Sequence, residues 1–185
     1  MGSLPKQSPL WRYALTDLGG LAFAAIWGMR GLAALKWPLW LCITLIVAIT
    51  LPLTWGFLSR DLRLGRPEII VDHALAKRAR RTRIIILFVA GMTLSMTHRQ
   101  DLMLVVAGFV IGASYLPLGR AMKEPVHLLT GALILAITAS SMLLTQPLHT
   151  IVAGLGTALA FWLGATLRLV RTLPTSVPDG AQIRS

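Results

Sequence analysis

Six apolar stretches recur along the chain, at 13–29, 37–58, 84–97, 102–118, 126–144 and 151–167, with the polar residues gathered in the gaps between them. A bilayer core about 30 Å thick is crossed by roughly 20 helical residues, fewer where long side chains at the flanks reach the headgroups. Within lipid every backbone N–H and C=O must be satisfied inside its own segment, so each stretch predicts an α-helix. The expected fold is all-α: a polytopic transmembrane helical bundle of six spans over 1–173. The third stretch is short. Arg80, Arg81 and Arg83 can lengthen it by laying their stems along the helix with the guanidinium groups at the headgroups. The first has two readings: a helix that ends near 29, or one capped by Asp17 that runs to Leu35 and draws Arg30 inward.

Charge gives the pattern a direction. Lys6, Arg12, Arg60, Arg63, Arg66, Lys77, Arg78, Arg80, Arg81, Arg83, Arg120, Lys123, Arg168, Arg171 and Arg184 fall on one side of such a bundle, and only Arg30, Lys36 and Arg99 on the other. Basic loops stay in the cytoplasm, which puts both termini and the 60–83 loop there. Trp11, Trp37 and Trp40 sit near the span ends, where amphipathic rings settle. The second half of the loop, from Asp72, has helical composition and can run straight into the third span. Asp101, in the tight polar hairpin before the fourth span, is the expected N-cap of that helix. Pro, Ser, Gly and Asp dominate 174–185, which predicts a disordered tail.

The chain has 185 residues, 55% of them apolar, and a formal charge of +11; mean hydropathy is +0.70. The basic residues flank apolar spans rather than form a separate polar domain. Anionic lipid headgroups are therefore the expected partner, and nucleic acid is not. The cluster Lys77, Arg78, Arg80, Arg81 and Arg83 either contacts those headgroups or simply anchors the topology. Cys42 is the only cysteine, which excludes an internal disulfide and a cysteine-based metal centre. The N-terminal run is read as a retained first helix, because Asp17 interrupts it early and no small-residue cleavage motif closes it. No metal or cofactor is expected.

Small residues recur every four positions at Gly108 and Gly112, and at Gly156, Ala160 and Gly164. Each set lies along one helix face, where a neighbouring backbone can approach closely, in this chain or in a second copy. Phe161 and Trp162 lie off that stripe and are expected to meet lipid or the interface. Pro52 and Pro117 fall inside spans and each removes one helical hydrogen bond. Ionisable groups inside a membrane are functional candidates because burying them is costly. Asp17 is the one acid within a span, read as a cap or as part of a polar cavity. His127 follows Pro125 at the start of the fifth span, read as an interfacial hydrogen-bonder or a proton carrier. Tyr115 joins them as a candidate cavity residue, and Arg168 is expected to snorkel outward.

The string Ala34-Leu35-Lys36-Trp37-Pro38-Leu39-Trp40-Leu41 parallels Ala121-Met122-Lys123-Glu124-Pro125-Val126-His127-Leu128, three spans later. A repeat of three spans must invert in the membrane, as in many small transporters.

Gly112-Ala113-Ser114-Tyr115 resembles the Gly-x-Ser segment of rhomboid intramembrane proteases, and Ala153-Gly154-Leu155-Gly156-Thr157-Ala158 resembles their helix-six motif. The resemblance implies a six-helix core. The chain departs from the family where the chemistry needs it: Gly154 stands where the catalytic histidine would, and no His-x-x-x-Asn occurs in the second span to build an oxyanion site. The segment Gly112 to Pro117, followed by Pro125, His127 and Gly131, also resembles small bacterial multi-pass membrane proteins of unassigned function. That resemblance implies a fold and a membrane and carries no active residue.

The expected protein is a multi-pass component of the bacterial inner membrane without catalytic chemistry. It reads either as a permease or carrier for a small solute or lipid, or as a scaffold that engages membrane partners through its basic loop. A homo-oligomer or a membrane-protein partner fits either reading. The charge asymmetry yields the first test. A reporter active only in the cytoplasm should be active when fused to either terminus; activity at one terminus alone would mean an odd number of spans.

Overall fold

Apolar periodicity and a few backbone stops lay out the helices. In the computed structural model, which describes residues 15–64 and 71–171, six helices alternate in direction. They are α1 (Leu15–Ala34), α2 (Leu39–Leu64), α3 (His73–Met96), α4 (Met103–Met122), α5 (Pro125–Ser141) and α6 (Leu148–Arg171). No strand occurs among the described residues. Three stretches are long and apolar enough to cross a membrane: Leu39–Ser59, Gln100–Met122 and Leu148–Arg171. Of the others, α5 is apolar but shorter, α1 carries Asp17 and Arg30, and the first half of α3 carries the basic cluster. Lys6, Trp11, Arg12, Arg66, Arg184, the 174–185 tail and the side chains of Arg60 and Arg63 lie outside the described residues.

Several helix limits differ from the sequence reading. α1 continues to Ala34, and Arg30 nonetheless stays exposed. α3 begins at His73, capped by the Asp72 carboxylate, which accepts from the Leu75 N–H at 2.9 Å. The apolar 84–97 stretch is thus the second half of one longer helix. Asp101 is not the N-cap of α4. A 3-10 turn over Gln100–Leu102 leads directly into the helix, so Leu102 takes the cap position with near-helical angles and no side-chain bond.

Two of the turns are alike. Lys36 after α1 and Lys123 after α4 both adopt the left-handed conformation, with φ of 57° and 50°. Their N–H groups close the preceding helix onto Ala33 and Arg120. Two residues later Pro38 and Pro125 lead into α2 and α5. A left-handed stop followed by a proline start is a compact helix-to-helix connection. The chain builds it once at each end of the bundle.

α1 packs on α2 and α6, α4 packs on α3 and α5, and α6 joins the two groups by lying against α1, α2 and α5. The main core is built by Leu21, Trp27, Ile46, Phe57, Ile111, Tyr115, Ile134, Phe161 and Trp162, and Ala76 of α3 packs with Leu118, Ala121 and Met122 in a second cluster. The outer faces of α2 and α3 expose large apolar residues, among them Leu51, Trp55, Ile84 and Phe88. An apolar surface of that extent suits lipid rather than water.

Glycine sets the closest crossings. A Cβ on Gly154 would lie 2.7 Å from the Gly31 backbone and 2.8 Å from the Trp27 carbonyl, so α6 and α1 meet main chain to main chain. The crossing falls within a π-helical segment of α6, Val152–Gly156. Gly131 and Gly112 do the same for α5 and α4, with a Cβ on Gly131 only 2.8 Å from the Gly112 carbonyl. Gly108 faces Thr138, Gly156 faces Ile137 and Gly164 faces Thr130, all on α5. Ala160 is buried beside them.

Phe161 and Trp162 do not meet lipid. They are 3% and 7% exposed. α6 has neighbours on three sides, so the face opposite its small-residue stripe is covered as well. Phe161 stacks on Phe23 and meets Tyr115 edge-on, and the Trp162 indole donates to the Thr50 hydroxyl at 3.2 Å.

This packing makes a mutational contrast. Gly156→Leu and Gly164→Leu should each lower the melting temperature in detergent, by an overpacking cost of about 1–3 kcal/mol. Phe161→Ala should cost about 3–5 kcal/mol, and Leu159→Ala, on an exposed position, should leave melting nearly unchanged. Unchanged melting for both glycine variants would mean the α5–α6 seam is loose.

Candidate functional site

A carboxylate inside an apolar bundle needs a cation or a set of donors. Asp17, in the first turn of α1, is 6% exposed. Alternating helix direction brings the start of α1 beside the end of α6, 151 residues later, and Arg168 Nη1 there donates to Asp17 Oδ2. Arg168 therefore turns inward instead of snorkelling. Glu124 Oε2 also lies 3.8 Å from Arg168 Nε, and His127 Nε2 lies 3.4 Å from Nη1. Glu124 sits at the N-cap of α5, where its other oxygen accepts from the Val126 N–H at 3.3 Å.

Aromatic rings cover this network. The Tyr115 ring meets His127 edge-on at 5.6 Å and Phe161 at 5.5 Å. Phe161 stacks on Phe23 at 6.3 Å, and Phe23 meets Trp27 at 5.7 Å. Such ring pairs add specific geometry to a large buried area. Gly20 makes room for the Tyr115 hydroxyl, since a Cβ there would lie 2.9 Å from it. The three polar residues picked from sequence, Asp17, Tyr115 and His127, thus line one small cleft together with Thr130 and Phe161. Its volume is about 10 Å³, room for about one water molecule.

Arg80 and Arg83 of α3 also point into the bundle. Arg80 Nη2 donates to the Thr16 hydroxyl at 2.8 Å, and the Arg83 guanidinium lies 5.7 Å from the Phe23 ring centre, within cation–π range. Lys77, Arg78 and Arg81 are exposed. The five cations of the basic cluster are therefore divided between bundle and surface. Ser114 is buried, and its hydroxyl donates to the Ile111 carbonyl at 2.7 Å. Position 154 faces α1 and has no space for a side chain. Among the described residues no group of three or more His, Cys, Asp or Glu is placed to hold a metal ion.

At the far end of the bundle lies a larger cavity, of about 670 Å³. Phe23, Trp27, Leu87 and Leu104 form its inner wall, and Arg30, Gln100, Asp101, Gln146 and Thr150 its polar rim. Thr150 donates to Gln146 at 2.7 Å. The Trp27 indole N–H has no acceptor among the described residues. Phe23 belongs both to this wall and to the aromatic stack above the Asp17 network, so the rings stand between the two cavities.

Sequence reasoning missed the roles of Arg168, Glu124 and Arg80. The available signal was Asp17 itself. A buried acid near the start of α1 asks for a cation at the same end, and Arg168 closes the last helix at that end. The far cavity carried no sequence signal, because its rim comes from three separated segments.

Removing one partner of a buried ion pair leaves the other uncompensated, at a cost of about 3–5 kcal/mol. Arg168→Met and Asp17→Val should each lower the melting temperature markedly, and the Asp17→Val/Arg168→Met double variant should recover most of the loss. A double variant no more stable than the singles would show that Asp17 and Arg168 act separately.

Comparison of the chain with protein-family models, with curated proteins and with solved structures found no match.

Proposed function

We propose that the chain is a six-span protein of the bacterial inner membrane, both termini cytoplasmic, that carries a small solute across the bilayer. The observation behind this reading is the cavity at the far end, set against the closed network at the basic end. At about 670 Å³ it falls in the size range of small-molecule sites, which is about 300–1,000 Å³. Its apolar wall with a polar rim suits a solute with an apolar body and a polar head. Arg30 and Asp101 offer opposite charges to that head. By the charge asymmetry this mouth faces away from the cytoplasm.

Passage then requires the basic end to open in turn. The parts that would move are the Phe23–Phe161–Tyr115 stack and the Asp17–Arg168 pair. The twin lysine–proline turns support the reading, since carriers built from inverted repeats place like connections at opposite membrane faces. No catalytic role is proposed for Ser114 or any other residue. The second reading, a scaffold that engages membrane partners through the basic cluster, draws support from the nearly filled cleft around His127. A scaffold needs no opening there.

Cysteine labelling separates the two. In a Cys42→Ala background, Asp101→Cys should react with a membrane-impermeant thiol reagent added from the far side. Ala165→Cys, buried beside the small cleft, should react slowly from the basic side only, faster once Arg168 is replaced. A carrier samples that opening; complete protection of Ala165→Cys under both conditions would favour the scaffold.

A further inference from the structure

A groove of about 510 Å³ lies between α3 and α4. Toward the basic end it is walled by Arg78, Thr82 and Arg83, which share one face of α3 with Ile86. Deeper in, the wall is apolar: Phe109, Val110 and Ala113 of α4. Pro117 also lines it, and a proline has no N–H to give the carbonyl four residues back. The Ala113 carbonyl is thereby left without its helical donor, in the groove wall. Among the described residues no carboxylate lines the groove.

Polar and cationic at the membrane surface, apolar toward the bilayer centre, the groove has the same order of chemistry as a phospholipid. Basic pockets between spanning helices are recognised sites for anionic headgroups. We infer that this groove holds an anionic phospholipid, its phosphate at Arg78 and Thr82 and one acyl chain along Ile86, Phe109 and Val110. The assignment singles out Arg78 from the basic cluster, since the Arg83 guanidinium lies over the Phe23 ring. Arg80 is already held by Thr16, and Lys77 and Arg81 do not line the groove. It is independent of whether the bundle carries a solute, and requires only that the chain sit in a membrane.

The test uses the full chain purified in detergent, with melting followed after addition of phosphatidylglycerol, phosphatidylcholine or free glycerol phosphate, and retained lipid counted by native mass spectrometry. Phosphatidylglycerol should be retained and should raise the melting temperature; the other two should do neither. Arg78→Gln should weaken retention roughly fivefold, the factor one cation contributes beside an anionic lipid, while Arg81→Gln should leave it unchanged. Ala113→Trp should fill the groove and abolish retention; Ile86→Trp, on an exposed position, serves if that variant fails to fold. Equal retention of phosphatidylcholine, stabilisation by glycerol phosphate alone, or equal losses in Arg78→Gln and Arg81→Gln would overturn the assignment.

Discussion

The structure turns on the cost of holding one carboxylate away from water. Desolvating an ion costs several kcal/mol even after relaxation, and only a close opposite charge with good geometry offsets it. Asp17 obtains that charge from Arg168, at the far end of the sequence. The pair fixes where the first and last helices meet. Around it the choice of neighbours narrows: Glu124 caps α5 and faces the same guanidinium, and His127 comes within reach of it. The aromatic rings then seal the cluster from the cavity beyond. The pair is weak evidence for stability in itself, since an apolar substitute of similar volume can do as well. It specifies which ends belong together.

Close backbone contact supplies the rest of the cohesion. Lipid tails are as apolar as leucine, so helices in a bilayer gain little from hiding apolar surface and more from packing tightly. The Gly31–Gly154 and Gly112–Gly131 crossings let main chains touch. The first coincides with the π-helical turn in α6, where an extra residue per turn shifts the helix face by a part-turn. That shift lets one side of α6 meet α1 while the Gly156 and Gly164 side meets α5.

What the sequence disclosed followed the physics of local order. Hydropathy and charge marked six helices in roughly the right places, since each is a property of adjacent residues. The small-residue spacing at Gly108, Gly112, Gly156 and Gly164 was also visible, because a helix repeats within a few residues. Tertiary facts were not. Nothing near Phe161 or Trp162 reveals that α6 has neighbours on three sides, and an apolar residue reads the same facing lipid or facing core. Asp101 looked like a cap because the rule assumes an abrupt helix start, and the chain instead eases in through a 3-10 turn. Asp17, Tyr115 and His127 were picked out singly, each as a costly group in an apolar run; that they adjoin depends on helix packing across the bundle.

The central place of α6 bears on how the protein is made. It is made after the other five described helices, and it is the one that joins the α1–α2 group to α4 and α5. Until it arrives, α1 and α5 lack the helix that packs on both, and Asp17 lacks the Arg168 cation. Assembly is therefore gated by the synthesis of α6. A nascent product that stops short of α6 lacks the Arg168 contact to Asp17 and keeps an open seam along α5, features by which membrane quality control can tell it from the folded bundle.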